Sequence, residues 1–225
     1  MFKKLSRCHN SKDFRSLAKQ RIPSPIFHYI DGGADDEVTL SQNTKSFEKC
    51  DLVPNVLKGV QDIDMSVSVM GKKLDVPLFF SPTALQRLFH HDGERAVAKV
   101  AEKYNTFFGI SSLGTVSIEE IAKLVDTPKL FQLYVHTDKG LTRDMIDRCK
   151  EANFNGLALT VDTIVGGNRE RDLHTGFTSP PKLTLKSLIS FALHPNWAFN
   201  HYMHSRFELS QLKDWIPEGS KVSLS

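Results

Sequence analysis

Four short apolar runs recur at similar spacing along this chain, and they constrain its fold more than any other feature. The runs cover residues 76–81, 106–111, 130–134 and 157–162. Their β-branched and aromatic content, and the amphipathic stretches between them, are typical of buried parallel strands that alternate with helices. Successive runs begin roughly 25 to 30 residues apart, which is about the length of one βα unit. The pattern predicts an α/β fold with about the first four βα units of an eight-stranded (β/α)8 TIM barrel.

The chain divides into three parts around these runs. Residues 1–74 precede the first run and are expected to form an N-terminal helical cap and a pre-barrel region. Residues 75–178 are expected to form the first half of the barrel. Residues 179–225 form a variable loop region in which no further strand–helix unit is visible.

Helices are expected in both the cap and the barrel half. In the cap, one helix is predicted over 13–20 and a second segment, restarted by prolines, over 26–29. In the barrel half, helices are predicted over 93–103, from Ser117 in a Ser-Ile-Glu-Glu capping box, and over 141–149.

Composition excludes several classes of protein. The net charge of +3 arises from interspersed acidic and basic residues, so nucleic-acid binding is not expected. The three cysteines, Cys8, Cys50 and Cys149, lie far apart, which predicts free thiols in a reducing compartment. No apolar run approaches the roughly 20 residues of a membrane-spanning helix. A cytoplasmic location is therefore expected.

The loop after the first predicted strand contains Pro82, Thr83 and Ala84. In such a barrel, the loops at the carboxyl ends of the strands carry the chemistry. Small side chains let the backbone approach a flat ligand, and free N–H groups can bond ring heteroatoms. An ordinary βα turn has the same composition, so both interpretations stay open.

Gln132 and Tyr134 alternate with apolar residues and therefore share one face of the third predicted strand. Buried polar side chains need hydrogen-bond partners. A carbonyl-rich ring and a substrate hydroxyl would supply them, and so would a hydrogen-bonded pair within the core.

Two charged residues follow the fourth predicted strand. Asp162 can orient a histidine and stabilise its protonated form, or it can cap a helix. Arg169 can bind a carboxylate through paired hydrogen bonds, or it can be a solvated charge in a mixed cluster.

The nine histidines include two close pairs, His90-His91 and His201-x-x-His204. Neither pair comes with an evident third ligand, so no metal site is expected. The Gly-Gly pairs of the chain do not form a G-x-G-x-x-G dinucleotide fingerprint, which argues against a Rossmann domain.

Taken together and in order, these segments resemble the FMN-dependent enzymes that oxidise L-2-hydroxy acids. That family includes glycolate oxidase, L-lactate dehydrogenase, mandelate dehydrogenase and the flavin domain of flavocytochrome b2. The resemblance covers about residues 10–180. The motifs that carry it are Tyr29 before Gly32-Gly33-Ala34-Asp35-Asp36-Glu37, then Ser81-Pro82-Thr83-Ala84-Leu85-Gln86, Ser111-Ser112, Phe131-Gln132-Leu133-Tyr134, and Thr160-Val161-Asp162-Thr163 with Arg169.

The resemblance implies an FMN-linked barrel that oxidises a small L-2-hydroxy acid, L-lactate above all, to the 2-keto acid. It implies that Pro82, Thr83 and Ala84 contact the flavin ring and that Ser111, Gln132 and Thr160 bond its polar edge. It implies that Tyr134 binds the substrate hydroxyl and that Tyr29 and Arg169 bind the substrate carboxylate. It implies that Asp162 supports the catalytic histidine. The electron acceptor, whether quinone, cytochrome or oxygen, stays open. Members of the family are often homo-oligomers.

The sequence departs from the family pattern in two ways. Leu113 stands where the glycolate-type pattern has Trp, which leaves the size of the substrate side chain open. The family's flavin-contacting Lys, catalytic His with its neighbouring Arg, and phosphate-binding loops would all lie beyond Ser225. The chain alone is therefore expected neither to fold stably nor to turn over. Two alternatives stay open. One is a non-catalytic half barrel that needs a complementary half, and the other is another flavin barrel, such as an isomerase.

The segment 180–206 mixes aromatic and aliphatic residues with lysines. In some members of the family this loop docks on a membrane surface, which suits such a composition. Peripheral contact with the inner face of the membrane is one expectation, and a flap that packs on the barrel is the other.

Overall fold

The computed structural model describes residues 5–178, 181–205 and 208–215. The predicted loop region over 179–225 therefore lies partly outside the described residues, at 179–180, 206–207 and 216–225.

Helices and short strands alternate in the middle of the chain. The helices are α1 (Ser11–Arg21), α2 (Ser24–Asp31), α3 (Val38–Lys45), α4 (Gln86–Phe89), α5 (Glu94–Lys103), α6 (Ile118–Leu124), α7 (Lys139–Glu151), α8 (Glu170–Thr175), α9 (Leu185–Ala192) and α10 (Pro195–Met203). The strands are β1 (Val67–Val69), β2 (Lys72–Leu74), β3 (Phe108–Ser111), β4 (Lys129–Leu133) and β5 (Gly156–Leu159). Short 3-10 turns lie at Leu5–Arg7, Ser46–Lys49 and Lys213–Trp215.

The chain forms two compact units. Among the described residues, the first unit contains 5–59 with 165–203, and the second contains 60–164 with 204–215.

The second unit is built on a parallel sheet with the order β3-β4-β5. Phe108 pairs with Lys129, and Leu130 pairs with Gly156. These strands confirm the second, third and fourth predicted strands, with shifts of up to three residues at their ends. Parallel neighbours joined through helices are the expected βα arrangement.

The first predicted strand, over 76–80, is wrong. Only Phe80 pairs, in an isolated parallel bridge to Phe108. Leu78 and Phe79 are exposed, and Pro77 cannot donate to a ladder because it has no N–H group. The apolar run therefore contributes one pairing residue rather than a strand.

Helices α5, α6 and α7 pack with the sheet to form the main core. Ser117 caps α6 by accepting from the Glu120 N–H at 3.1 Å, as the capping box predicts. Asp138 caps α7 by accepting from the N–H groups of Gly140 and Leu141. The core cluster of buried residues is Ala98, Ala101, Phe108, Ile110, Val116, Ile118, Ile121, Val125, Phe131, Leu133, Leu141, Met145, Cys149 and Leu212.

Strand β5 is the outermost strand of this sheet among the described residues. It pairs with β4, and its side chains Leu157 and Leu159 are 44% and 56% exposed. Apolar side chains on a sheet edge are normally covered in a native protein. An uncovered apolar surface therefore lies at β5.

An antiparallel hairpin, β1–β2, lies in the region expected to be irregular. Its turn residues Met70 and Gly71 both have positive φ, at 51° and 71°. Positive φ at both central residues is typical of the type I′ turn that forms a two-residue hairpin loop. The short, mostly exposed strands gave little periodicity from which to predict it.

The first unit is built of helices among its described residues. Asn10 caps α1 by accepting from the Asp13 N–H at 2.9 Å, and Pro25 occupies the first turn of α2. Leu17, Ile26 and Phe27 are its buried apolar residues on these helices. Helix α2 packs with α8 and α9. Within the described part of the chain, no helix is both long and apolar enough to cross a membrane.

Candidate active site

A row of hydrogen-bonded polar side chains crosses the carboxyl ends of the parallel sheet. The Ser111 hydroxyl donates to Gln132 Oε1 at 2.9 Å. The Gln132 amide in turn donates to Thr160 Oγ1 at 2.6 Å. Ser111 and Gln132 are buried, at 4% and 8% exposed. The structure thus brings together all three residues expected at the polar edge of a flavin.

The loop over 81–86 lies directly against β3. A Cβ atom at Gly109 would meet Pro82 at 2.8 Å and the Phe80 carbonyl oxygen at 2.9 Å, so only glycine fits there. The Leu85 N–H donates to the Leu113 carbonyl at 3.1 Å. Pro82, Thr83 and Ala84 are at least partly exposed, which leaves their backbone accessible to a flat ligand.

Tyr134 follows the last residue of β4 and is half-buried. Its backbone N–H donates to Ser112 Oγ at 3.4 Å. Alternation along the strand sets Tyr134 on the same face as Gln132. Tyr134 is therefore the next residue on this face, two positions after Gln132.

Glu94 supports the loop beside the site, a role that the sequence did not reveal. Its carboxylate is fully buried and accepts from the backbone N–H and the hydroxyl of Thr115, each at 2.7 Å. Thr115 Oγ1 also accepts from the Arg87 N–H at 3.1 Å. This carboxylate joins the start of α5 to the loop after Ser111. In sequence, Glu94 resembles any first-turn carboxylate of a surface helix.

Asp162 lies in an exposed segment over 161–168. The next helix, α8, begins at Glu170, so Asp162 does not cap a helix. Of its two sequence interpretations, the helix cap is therefore wrong, and support of a histidine stays a prediction.

In the first unit, the structure brings Tyr29 and Arg169 together. The Arg169 guanidinium carbon lies 5.4 Å from the centroid of the Tyr29 ring. Arg169 donates to the carbonyl oxygens of Gly32 and Tyr29 and, at 2.6 Å, to Asp172 Oδ2. Arginine has five N–H groups, so these three bonds leave others for a carboxylate.

The Gly32 to Glu37 motif is tied into the same unit by charged side chains. Arg171 donates to Asp31 and Glu37, and Arg15 also donates to Asp31. The hydrogen bond from Arg15 holds the pKa of Asp31 below its ordinary value. A Cβ atom at Gly32 would lie 2.7 Å from the His28 carbonyl oxygen. This motif therefore fixes the end of α2.

The parallel sheet, with polar side chains gathered at its carboxyl edge, defines an α/β protein of the barrel type with its site at the strand ends. Comparison with known proteins gives the family. The family model described as FMN-dependent dehydrogenase matches residues 18–221, and the chain belongs to this family.

Similar proteins bear this out in sequence and in structure. Glycolate oxidase 1 of Oryza sativa subsp. indica is 39% identical over 178 residues, which is 79% of this chain and 48% of that protein. L-lactate dehydrogenase of Vibrio parahaemolyticus is 37% identical over 190 residues, 84% of this chain and 50% of that protein. The monotopic membrane protein (S)-mandelate dehydrogenase superposes with a TM-score of 0.85 at 31% identity, covering 92% of this chain and 55% of that one.

These comparisons confirm the predicted family, its FMN cofactor and its oxidoreductase class. They also confirm the predicted fold, because the structural relatives are FMN-linked barrel enzymes and this chain covers part of such a barrel. The chain spans about half the length of the curated relatives it matches.

Proposed function

We propose that this chain forms the part of an L-2-hydroxy acid oxidising enzyme that holds the polar edge of FMN and much of the substrate. L-lactate is the proposed substrate. The observation that carries the proposal is the hydrogen-bonded row of Ser111, Gln132 and Thr160 at the carboxyl ends of the strands.

The residues present fit the ring system of FMN. Thr160 Oγ1 accepts from Gln132, so its own O–H can donate to a ring heteroatom. The backbone of 82–84 is held against β3 by the close approach at Gly109, and it would contact the flat face of the ring. FMN, when bound, takes up the two electrons that the substrate releases.

Substrate binding is assigned to three residues. Tyr134 would donate to the substrate hydroxyl. Tyr29 and Arg169 would hold the carboxylate, since Arg169 keeps N–H groups beyond the three that bond Gly32, Tyr29 and Asp172.

Asp162 would orient the histidine that removes the substrate proton and would stabilise its protonated form. Because the chain spans about half the length of its relatives, the proposal assigns that histidine to the other half of the barrel. The chain alone is then expected to lack turnover.

The choice of L-lactate rests on the similarity to a protein named L-lactate dehydrogenase. Leu113 is partly buried against the core, and its N–H donates to Ser111 Oγ at 3.1 Å, which places an aliphatic side chain beside the polar row. This wall accommodates a methyl group and leaves the size of the substrate side chain open. The electron acceptor is proposed to be a quinone, a cytochrome or oxygen.

A peripheral membrane contact is proposed for α9. Leu185, Leu188, Ile189 and Leu193 on and after this helix are all at least half exposed, and Lys186 lies among them. An amphipathic helix with a basic residue suits an anionic lipid surface. The structural relative described as a monotopic membrane protein supports a membrane contact, and the cytoplasmic face is the proposed side. The chain is expected to co-sediment with anionic vesicles. Leu188→Glu should abolish this co-sedimentation, and Leu52→Glu should keep it.

The test of the main proposal uses the chain alone and with a separately expressed C-terminal half of a family member. Bound-flavin absorbance and L-lactate-dependent dye reduction are measured. Neither is expected for the chain alone, and both are expected for the mixture. Gln132→Leu should remove the bound-flavin absorbance and the dye reduction of the mixture, because it breaks the polar row. Gln20→Leu, at an exposed position, should leave both unchanged.

Two results would count against the proposal. Turnover by the chain alone would refute the need for the other half. Failure of the completed barrel to reduce FMN with L-lactate or any other 2-hydroxy acid would refute the activity. That second result would favour a flavin barrel of another kind, such as an isomerase.

The second candidate function is a non-catalytic half barrel that acts only as an assembly partner. The exposed apolar side chains of β5 favour assembly. Complementation without any flavin uptake would support this candidate over the first.

A further inference from the structure

We propose that His90, His91 and Asp92 form a binding site for a divalent transition-metal ion, with Zn²⁺ as the fitting species. One ligand atom from each of the three side chains can be chosen so that all lie within 4.8 Å of one another. The site is separate from the polar row, and the inference is independent of the proposed function.

The distances between the side chains are too long for direct bonding. His90 Nδ1 lies 3.7 Å from Asp92 Oδ2, and His91 Nε2 lies 3.6 Å from Asp92 Oδ1. Hydrogen bonds between such atoms are about 2.7 to 3.2 Å long. Two ligands of one tetrahedral zinc ion, each about 2.0 to 2.1 Å from the metal, are separated by roughly 3.3 Å. The two distances to the Asp92 carboxylate would each shorten by a few tenths of an ångström around a metal, and the ligand atoms of the two imidazoles lie no more than 4.8 Å apart.

The turn that carries the three residues is well fixed. The Asp92 N–H donates to His90 Nδ1 at 3.3 Å, and the Gly93 N–H donates to the His90 carbonyl at 3.0 Å. The Arg87 guanidinium donates to the His91 carbonyl at 3.1 Å. These bonds hold the turn between α4 and α5, and a metal bound through His90 Nδ1 would have to replace the Asp92 N–H at the lone pair of that nitrogen.

Two histidine rings contact the His91 ring. The His90 ring is tilted by 32° against it, with the centroids 4.3 Å apart, and the His204 ring stacks on it at 3.9 Å and 17°. His91 Nδ1 is buried without a hydrogen-bond partner among the described residues.

The donor set selects the kind of metal. Two imidazole nitrogens and one carboxylate oxygen suit zinc and its neighbours, whereas Mg²⁺ prefers oxygen ligands alone. Three protein ligands leave a coordination position for water.

The test is a titration of the full 225-residue chain with ZnCl2. Calorimetry measures the binding of Zn²⁺, and thermal unfolding measures its effect on stability. One Zn²⁺ per chain and a higher unfolding temperature are expected, with no such effect of MgCl2. His90→Ala, His91→Ala and Asp92→Asn should each weaken zinc binding by about tenfold or more, because even residues that only support metal ligands are worth about 10- to 100-fold.

His9→Ala is the matched control, since His9 is an exposed histidine outside the cluster. It should leave the zinc affinity unchanged. Equal affinities of the wild-type chain and the three cluster variants would overturn the proposal, as would a loss of binding in His9→Ala. Far-UV circular dichroism of each variant shows whether a weakened affinity accompanies unchanged secondary structure, which the proposal requires.

Discussion

Glu94 shows how one buried side chain can fix the frame of a site. Its two oxygens accept from the N–H and the hydroxyl of Thr115, and all of these groups are buried. Thr115 lies in the loop that follows Ser111, the first residue of the polar row. We infer that Glu94 stabilises the loop rather than contacting the ligands.

Removing the Glu94 carboxylate should therefore destabilise the chain. In Glu94→Ala, two buried donors of Thr115 lose their acceptor, and a loss of about 2 to 4 kcal/mol in the free energy of unfolding is expected. Glu94→Gln should cost less, because the amide oxygen still accepts one bond. Urea unfolding of the chain completed by a C-terminal half measures both. Glu151→Ala, at an exposed position, should change the free energy by less than about 0.5 kcal/mol, and an equal effect of Glu94→Ala would contradict the role.

The cysteines should differ sharply in reactivity. Burial raises the pKa of Cys149 to about 12, and thiol reagents attack the thiolate. Cys50 is exposed. At pH 8 an aromatic disulfide reagent should modify Cys50 rapidly and Cys149 only after addition of denaturant. Cys50→Ser should remove the fast phase. A fast phase that survives in Cys50→Ser and disappears in Cys149→Ser would contradict this assignment.

At the scale of elements, the contact between the 81–86 loop and β3 depends on Gly109. A Cβ atom there would lie 2.8 Å from Pro82, so Gly109→Ala should force the loop outward. Overpacking of this kind costs about 1 to 3 kcal/mol, and flavin binding by a completed barrel should weaken as well. Urea unfolding and flavin titration of the completed barrel measure the two effects.

Gly166 provides the matched comparison, because a Cβ atom there would meet nothing within 4 Å. Gly166→Ala is expected to change neither the unfolding midpoint nor flavin affinity. If both variants behaved alike, the close approach at Gly109 would have no role in holding the loop.

Elements with a strong local signal could be predicted from the sequence. The runs that became β3, β4 and β5 combine β-branched and aromatic residues with flanking helices. Ser117 carries both halves of a capping box, and its side chain does accept from Glu120. In each case, local chemistry and tertiary packing favour the same structure.

Features that depend on distant partners could not be predicted. Phe80 pairs alone because Pro77 interrupts the ladder. The β1–β2 hairpin, although local, depends on a positive φ at the non-glycine residue Met70, which composition does not indicate. The bonds of Glu94 to Thr115 and of Arg169 to the Tyr29 carbonyl join residues far apart in sequence. Such pairings leave no periodicity in the sequence.

At the scale of the whole molecule, the exposed edge of the sheet is the dominant feature. The chain matches about half the length of its curated relatives. In the described residues, β5 pairs with β4 and presents Leu157 and Leu159 largely uncovered. An uncovered apolar strand edge is a template for pairing with another chain.

The chain alone should therefore associate through β5. Light scattering after size-exclusion chromatography is expected to show a mass that rises with protein concentration. Leu159→Lys should reduce this association, because a charge on an edge strand opposes pairing, and it should also weaken complementation by a C-terminal half. Leu52→Lys, at a leucine that is 96% exposed outside the sheet, should change neither. A monomer at every concentration, or equal association of the two variants, would show that β5 is not the surface through which the chain assembles.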